Sequence, residues 1–472
     1  MSLHAQGLRG VNEVRGDAEN ADVGREISMN AFQYKNEILH CEGAALPAIA
    51  EGVGTPFYLY SRKRLLDNFN AFVNPLQGTG HLVCFAMKAN SNPAIVRLFA
   101  QRGAGADIVS GGELRLALMS GVPADRILYS GVGKTDPEIE LAVGQGILAL
   151  NVESFEELEI VSGIARRMGR TARVSIRVNP KVDPKTHPYI ATGLRESKFG
   201  IPAEGALEAC RKAAGEAGIR LVGVQCHIGS MICDTSPFAE SAAFLSGLIR
   251  TLLAEGIALE FADVGGGLGV DYTRIVDDGT VPGTKRQSPP NPQKLFDAVL
   301  PVFREFGLKI VAEPGRYLVA DSAALVTRVT FTKSAGSKRF AVVDAGMNDL
   351  IRPCLYDAYH QIVPVRRNSG PSTHYDVVGP ICESSDFFAK DRPLAKVKEG
   401  DHLALLSAGA YGSVMASNYN SRALAAEVLV QGHRAALVRA RQALSDIWRD
   451  ESPAPWQKRR PGPAGQRNQP RP

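Results

Sequence analysis

A chain of 472 residues, 44% hydrophobic and 22% charged, has ample material for a buried core and sets two domains as the starting expectation. Its formal charge of +5 sits at one end: residues 452–472 hold five basic side chains (Lys458, Arg459, Arg460, Arg467, Arg471) and no acid, so the remainder sums to zero. A neutral body argues against nucleic acid or an anionic membrane as a partner, and the basic stretch reads as a solvated tail. Seven cysteines without CxxC spacing argue against a disulfide framework, suggest no metal site and suit a reducing compartment. The first 35 residues are polar, with no apolar stretch of a secretory signal, and no segment approaches the roughly 18 apolar residues of a membrane span. A soluble, cytoplasmic protein is expected.

In chain order, residues 1–35 are expected to form a disordered extension and 36–60 to join a later β-rich domain. From 61 to 313, short apolar runs alternate with amphipathic helical stretches such as Glu153 to Met168 and Pro237 to Glu255. The runs at 81–87, 105–109, 126–130, 147–151, 173–179, 220–227, 259–264 and 308–313 give eight strands, the pattern of an α/β protein with a (β/α)8 TIM-type barrel. A doubly wound open sheet would alternate similarly; the count and the glycine-rich turns after the last two strands favour the barrel. The Pro/Gly/Asp-rich stretch 271–293 reads as a surface insertion. Beyond residue 314, β-branched runs (323–332, 340–343, 373–378, 402–406) imply a second, β-rich barrel or sandwich domain to about 443, with helical period largely absent until Leu424. Residues 444–472 complete the basic, Pro/Gly-rich tail.

Lys88 ends the first strand, in Cys-Phe-Ala-Met-Lys-Ala-Asn, where apolar walls would depress its pKa and make it a nucleophile. Taken alone, it reads far more readily as a lysine snorkelling to solvent, and the other motifs reverse that preference. Gly265-Gly266-Gly267-Leu268-Gly269 follows the seventh strand and Glu313-Pro314-Gly315-Arg316 the eighth, where such barrels hold phosphate on converging backbone N–H groups. Glu313 is either the partner of Arg316 or a carboxylate for a pyridine nitrogen, and the residues leave the two readings even. His227, before Ile-Gly-Ser230 at the sixth strand's end, is flat enough to stack on a ring.

Together, CFAMKAN, the GGELRLAL helix start after Asp107, HIGS, GGGLG, EPGR, IRPCLYDAYH, GPICESSDFF and GAYGSVMASNYNSR resemble diaminopimelate decarboxylase, a pyridoxal-phosphate (PLP) enzyme of the alanine-racemase-like fold group. The resemblance spans roughly Phe32 to Val430. It implies PLP carried on Lys88, with Asp107 beside it, His227 stacked on the ring and Glu313 facing the ring nitrogen. Phosphate contacts would come from Ser230, Gly267, Gly315 and Tyr411. It further implies decarboxylation of meso-diaminopimelate to L-lysine, the last step of lysine biosynthesis, with Cys382 as proton donor.

A diaminopimelate pocket needs a cation and an acid together for the distal carboxylate and ammonium. Arg316 and Arg352 can clamp the carboxylate, with Tyr356 and Tyr411 beside them, and Glu383 can take the ammonium. Decarboxylases of ornithine, arginine and carboxynorspermidine share the PLP residues, and an amino-acid racemase is a further reading on the same fold. The resemblance also implies a homodimer in which the Cys382-Glu383 loop of one subunit covers the Lys88 pocket of the other.

Overall fold

The computed structural model describes residues 31–78, 80–184, 197–273, 276, 289–368, 370–454 and 456. Eight parallel strands close on themselves: His81–Ala86, Gly105–Ile108, Ile127–Tyr129, Ala149–Val152, Ala172–Asn179, Ile219–Cys226, Phe261–Asp263 and Lys309–Ala312. Closure runs through the pairing of the last with the first, Ile310 opposite His81 and Val311 opposite Leu82. All eight runs expected from the sequence are strands, within about two residues at each end. Their length explains this: short, apolar, β-branched segments leave no helical face to bury.

Two-residue alternation then divides each strand between two environments. Leu82, Cys84, Leu128, Ala149, Phe261 and Val311 form a small separate cluster that fills the lumen. Their neighbours Val83, Phe85, Ile127, Tyr129, Leu150, Ile310 and Ala312 pack outward in the main core under the helices. Phe85 meets Phe99 of helix Pro93–Ala100 at 4.8 Å between ring centroids, which fixes the strand that leads to Lys88. Burying such a ring contributes about 1.5–3 kcal/mol.

A mixed β domain packs against the barrel. Its long strand Ala323–Ala335 pairs antiparallel with Lys338–Val343, with Phe57–Ser61 and with His402–Leu406. Phe57–Ser61 lies in the middle of this sheet, between Ala323–Ala335 and Ala426–Gln431, so a segment from before the barrel is threaded through the domain that follows it. Three expectations require correction. The extension expected to be disordered to residue 35 is ordered as strand Phe32–Lys35, paired with Ile38–Cys41 because Phe32 and Cys41 are buried. The helical texture read after Leu424 is a hairpin, Ala426–Gln431 with Arg434–Arg439, since Ala426, Val428 and Val430 alternate into the core. The tail expected from residue 444 begins with a short helix, Leu444–Ile447, while 455 and 457–472 lie outside the described residues.

Candidate active site

Above the lumen's apolar layer, a ring of polar side chains stands at or just past the C-terminal end of each strand. These positions are Lys88, Asp107, Ser130, Asn151, Arg177, Gln225, Asp263 and Glu313. Lys88 Nζ donates to Asp107 Oδ2 at 2.8 Å. Glu313 accepts from Gln225 Nε2 at 3.0 Å and from Asn151 Nδ2 at 3.4 Å, and Asn151 also donates to Ser130 Oγ at 3.0 Å. Arg177 Nη1 donates to Glu153 Oε1 at 2.8 Å, where both side chains are buried. Asn151, Arg177 and Gln225 were not singled out from the sequence, and Asp263 was read only as the start of the glycine turn. Strand-end parity was an available signal for Asn151 and Asp263, which follow Ala149 and Phe261 of the lumen cluster at two-residue spacing.

The layer crowds three acids into a water-poor site. Burial, reinforced by Asp107 and Asp263, holds the Glu313 carboxyl well above the ordinary carboxylate range. Burial likewise pushes Asp263 up to about 7. Lys88 was expected to have a depressed pKa. Burial does pull it down, but Asp107 and Glu313, with a smaller contribution from Tyr411, outweigh it, so the free ammonium is held above its ordinary value. The error lay in weighing the apolar strand without the acids of neighbouring strands.

The glycine turns are walled by backbone. A Cβ on Gly266 would meet the carbonyl oxygen of Glu313 at 2.1 Å, and one on Gly267, at φ +114°, would meet that of Gly229 at 2.3 Å. The turn is stitched to the loop after the sixth strand by Ile232 N to Gly267 O and Gly269 N to Ile232 O, both 3.0 Å. Gly315 lies against Ala86 and Ala89, beside the Lys88 turn. His227 Nδ1 accepts from Gly266 N at 3.1 Å, and burial, followed by the charges of Lys88 and Arg177, holds its pKa well below 6.5. The ring is therefore neutral.

The remaining wall comes from the β domain. Tyr411, in left-handed backbone at φ +55°, ties its N–H to Ala89 O at 2.8 Å, and its ring lies 4.8 Å from the Arg316 guanidinium. Asn90 Nδ2 donates to Gly409 O at 3.0 Å and to Tyr60 OH at 3.2 Å, fastening the Lys88 turn to the same loop. Backbone strain of this kind costs about 1–3 kcal/mol and persists where its surroundings impose it. Arg316 Nε and Nη2 donate to Ser230 Oγ at 3.1 Å, and Arg352 Nη1 donates to His360 Nε2 at 3.0 Å. Both guanidiniums are buried, and among the described residues neither meets a carboxylate. Tyr356, half-buried, perturbs Arg316 electrostatically.

Tyr272 was overlooked. It lies in the stretch read as a surface insertion, yet it is buried, its hydroxyl accepts from Arg316 Nη1 at 2.8 Å, and its ring lies 4.7 Å from the Arg352 guanidinium. That reading is corrected at 271–273 and at Val276, which is also buried; residues 274–275 and 277–288 lie outside the described residues. His360, likewise overlooked, closes the quoted IRPCLYDAYH motif and is fully buried. Cys382 and Glu383 stand apart from this group. They are exposed on a loop held by Ile381 N and Met347 N to the Asp386 carboxylate, at 2.6 and 2.7 Å, and by Cys382 N to Asn420 Oδ1 at 2.9 Å.

Comparison with known proteins decides the family. The pyridoxal-binding domain of the pyridoxal-dependent decarboxylases matches residues 62–320. The diaminopimelate decarboxylase of Aquifex aeolicus is 45% identical over 411 residues, covering 87% of this chain and 95% of that one. The chain belongs to the diaminopimelate decarboxylase family. The Helicobacter pylori diaminopimelate decarboxylase, solved with L-lysine, superposes with a TM-score of 0.80 at 42% identity, over 86% of this chain and 98% of that one. The enzyme from M. jannaschii, also solved with L-lysine, gives 0.84 at 36% identity, over 90% and 98%.

Family membership implies PLP, and the residues present fit it. A cationic ring N–H would relieve the burial and acid crowding that raise the Glu313 pKa, and the glycine turn presents main chain without side chains, as an anion site requires. Among the described residues no helix is long and apolar enough to cross a membrane.

Proposed function

We propose that the protein removes the carboxylate at one end of meso-diaminopimelate and releases L-lysine and carbon dioxide. The observation that carries this reading is the layer in which half-buried Lys88 lies with the buried acids Asp107 and Glu313 beside a backbone-walled glycine turn. Bound PLP supplies an electron sink for the bonding pair left when the carboxylate departs.

The chain's own groups do the rest. Asp107 orients the Lys88 ammonium and accepts its hydrogen bond, while Lys88 anchors the cofactor. Glu313 as a carboxylate would accept the hydrogen bond of a ring N–H and so keep that proton on the ring. His227, kept neutral by burial and by two nearby cations, offers a flat face without adding charge. Ser230, Gly267, Gly315 and Tyr411 are assigned to the phosphate. Ser230 accepts from Arg316, which leaves its own hydroxyl hydrogen free to donate.

Arg316 and Arg352 take the distal carboxylate, with Tyr356 and Tyr411 alongside and Glu383 for the distal ammonium. Two buried guanidiniums that meet no carboxylate among the described residues suit an anionic substrate group, because an unpaired buried charge is costly. Cys382 delivers the proton that replaces carbon dioxide on Cα. Its exposure in one subunit supports a twofold dimer in which the Cys382-Glu383 loop closes the partner's pocket. We assign the barrel to 62–313 and the β domain to 32–61 and 314–443, and a cytoplasmic setting suits the free thiols.

The deciding measurement is carbon dioxide release from meso-diaminopimelate, L-ornithine, L-lysine and L-arginine. Release from diaminopimelate at a kcat/KM at least about a hundredfold above the others is expected, given the charged contacts at stake. Preference for ornithine overturns the substrate assignment, and release from none overturns the enzymatic reading.

A further inference from the structure

Arg316 and Arg352 carry like charges, are both buried and converge on one aromatic residue. Tyr272 lies between them. Its hydroxyl accepts from Arg316 Nη1 at 2.8 Å, its ring meets the Arg352 guanidinium at 4.7 Å, and its edge contacts His360 at 5.4 Å between centroids, with the planes 81° apart. The turn that carries it is fixed by Asp271 Oδ1, which accepts from Thr273 N at 2.8 Å and from Thr273 Oγ1 at 2.6 Å. Each arginine is also braced from behind: Arg316 on Ser230, and Arg352 on His360, whose Nδ1 bonds Leu406 O at 2.9 Å.

Two like-charged guanidiniums in a low-dielectric pocket repel one another and separate unless something between them attracts both. A phenol does so with two different groups, its oxygen as acceptor and its π face as cation partner. Burial alone would raise the phenol's pKa, yet the two guanidiniums bring it below its ordinary value, as expected of a group that both favour as an acceptor.

We propose that Tyr272 is a positioning residue for the distal carboxylate of the substrate: its hydroxyl and ring hold Arg316 and Arg352 convergent, so that both present donors to one carboxylate. The inference rests on the reading that these two arginines form the clamp. Its chemical consequence is selectivity for an amino acid with an anionic far end over one that ends in an amine alone.

The test uses the PLP-loaded Tyr272→Phe enzyme, which keeps the ring and loses the acceptor, beside Arg352→Ala. With meso-diaminopimelate, Tyr272→Phe should raise KM about tenfold, the effect of one lost hydrogen bond to a charged group, with kcat within about twofold. The inhibition constant of L-lysine, which has no distal carboxylate, should stay within about twofold of the parent value, and the visible absorption of the bound cofactor should not move. A parental KM in Tyr272→Phe together with a raised KM in Arg352→Ala overturns the role of Tyr272 and leaves the clamp standing. Parental KM values in both variants overturn the clamp itself, and this inference with it. Equal weakening of lysine and diaminopimelate, or a fall in kcat at constant KM, also overturns the proposal, because either would mark a general packing role. Should Tyr272→Phe fail to retain cofactor, Tyr272→His restores a flat acceptor: a KM within about threefold of the parent supports the proposal, and a tenfold rise overturns it.

Discussion

The floor and the wall of the site are built by opposite means. The floor is one side chain from each barrel strand, set by two-residue alternation and closed within a single chain. The wall is contributed by short segments: the turn at Tyr272, the short helix Arg352–Tyr356 and the strained backbone at Tyr411, to which the proposed dimer would add the exposed Cys382-Glu383 loop of a partner subunit. On the proposed assignment, strand ends place Lys88, Asp107 and Glu313 for the cofactor, while less regular segments place the groups proposed to choose the substrate and deliver the proton. Cofactor chemistry and substrate choice can therefore be altered independently, and substitutions on the two sides should fail in different ways.

The largest effect should come from substituting one residue on each side. Lys88→Ala and Cys382→Ala should each lower kcat by about a thousandfold or more, as expected for an anchoring amine and a proton donor. If the wall of one subunit closes the floor of its partner, an equal mixture of the two inactive proteins, dissociated and reassembled, contains hybrid dimers with one doubly substituted and one intact site. About a quarter of parental activity should return. A mixture as inactive as its components, with hybrid dimers shown to form, would place Cys382 over its own subunit's pocket. Borohydride reduction of the yellow parent followed by peptide mapping should find the pyridoxyl group on Lys88, and a label on any other lysine would break the assignment of the floor.

Within the floor, Glu313→Gln keeps the shape and removes the carboxylate that would hold the ring proton. The bound cofactor should persist through the glycine turns, while kcat falls about 10²- to 10³-fold, the usual loss when one preorganised electrostatic partner is removed. Loss of cofactor without a specific fall in kcat would assign Glu313 to binding. On the wall, Arg352→Ala should lower kcat/KM for diaminopimelate about ten- to a hundredfold and leave PLP affinity nearly unchanged, since one charged hydrogen-bonding partner is worth about 1.5–3 kcal/mol. Equal loss of cofactor and substrate affinity would erase the distinction between the two sides.

The same contrast explains what the sequence made legible. The barrel strands and the strand-end positions of Lys88, His227, the glycine turns and Glu313 follow from apolar period and turn chemistry, which act locally, while the roles of these residues came from the family resemblance. Asn151, Arg177 and Gln225 escaped because each is an ordinary polar residue at a strand end, and its partner is supplied by a different strand. The Lys88 pKa was misjudged for the same reason: Asp107 and Glu313 are distant in sequence and adjacent after closure. Tyr272 was hidden by its neighbours, because Pro, Gly and Asp around it signal an exposed excursion while its own ring is drawn inward by two cations. The hairpin at Ala426–Arg439 depends on Phe57–Ser61 to pair with, and no local window contains both.

The smallest expected effect probes the brace behind the wall. His360 is fully buried, its Nδ1 facing Leu406 O at 2.9 Å and its Nε2 facing Arg352 Nη1 at 3.0 Å. The guanidinium donates, so Nε2 must accept, and the ring is neutral with its proton on Nδ1. Burial, and then the charge of Arg352, hold its pKa down at about 3, against 6.5 for an ordinary histidine. A depressed pKa means that the unfolded chain binds the proton more readily. The stability supplied by the neutral ring is therefore fully present above 6.5 and is lost as the pH falls from there toward 3. One proton corresponds to about 1.4 kcal/mol per pH unit, so between pH 7 and 5 the His360 contribution should shrink by about 2 kcal/mol. His360→Gln can still donate to Leu406 O and accept from Arg352, but it does not titrate. Urea unfolding at pH 7, 6 and 5 should show the parent losing apparent stability faster than this variant by about 1–2 kcal/mol over the range, with His227 common to both and cancelling. Parallel losses would mean that Arg352 does not depend on a neutral ring at position 360, and the brace would have to be sought elsewhere.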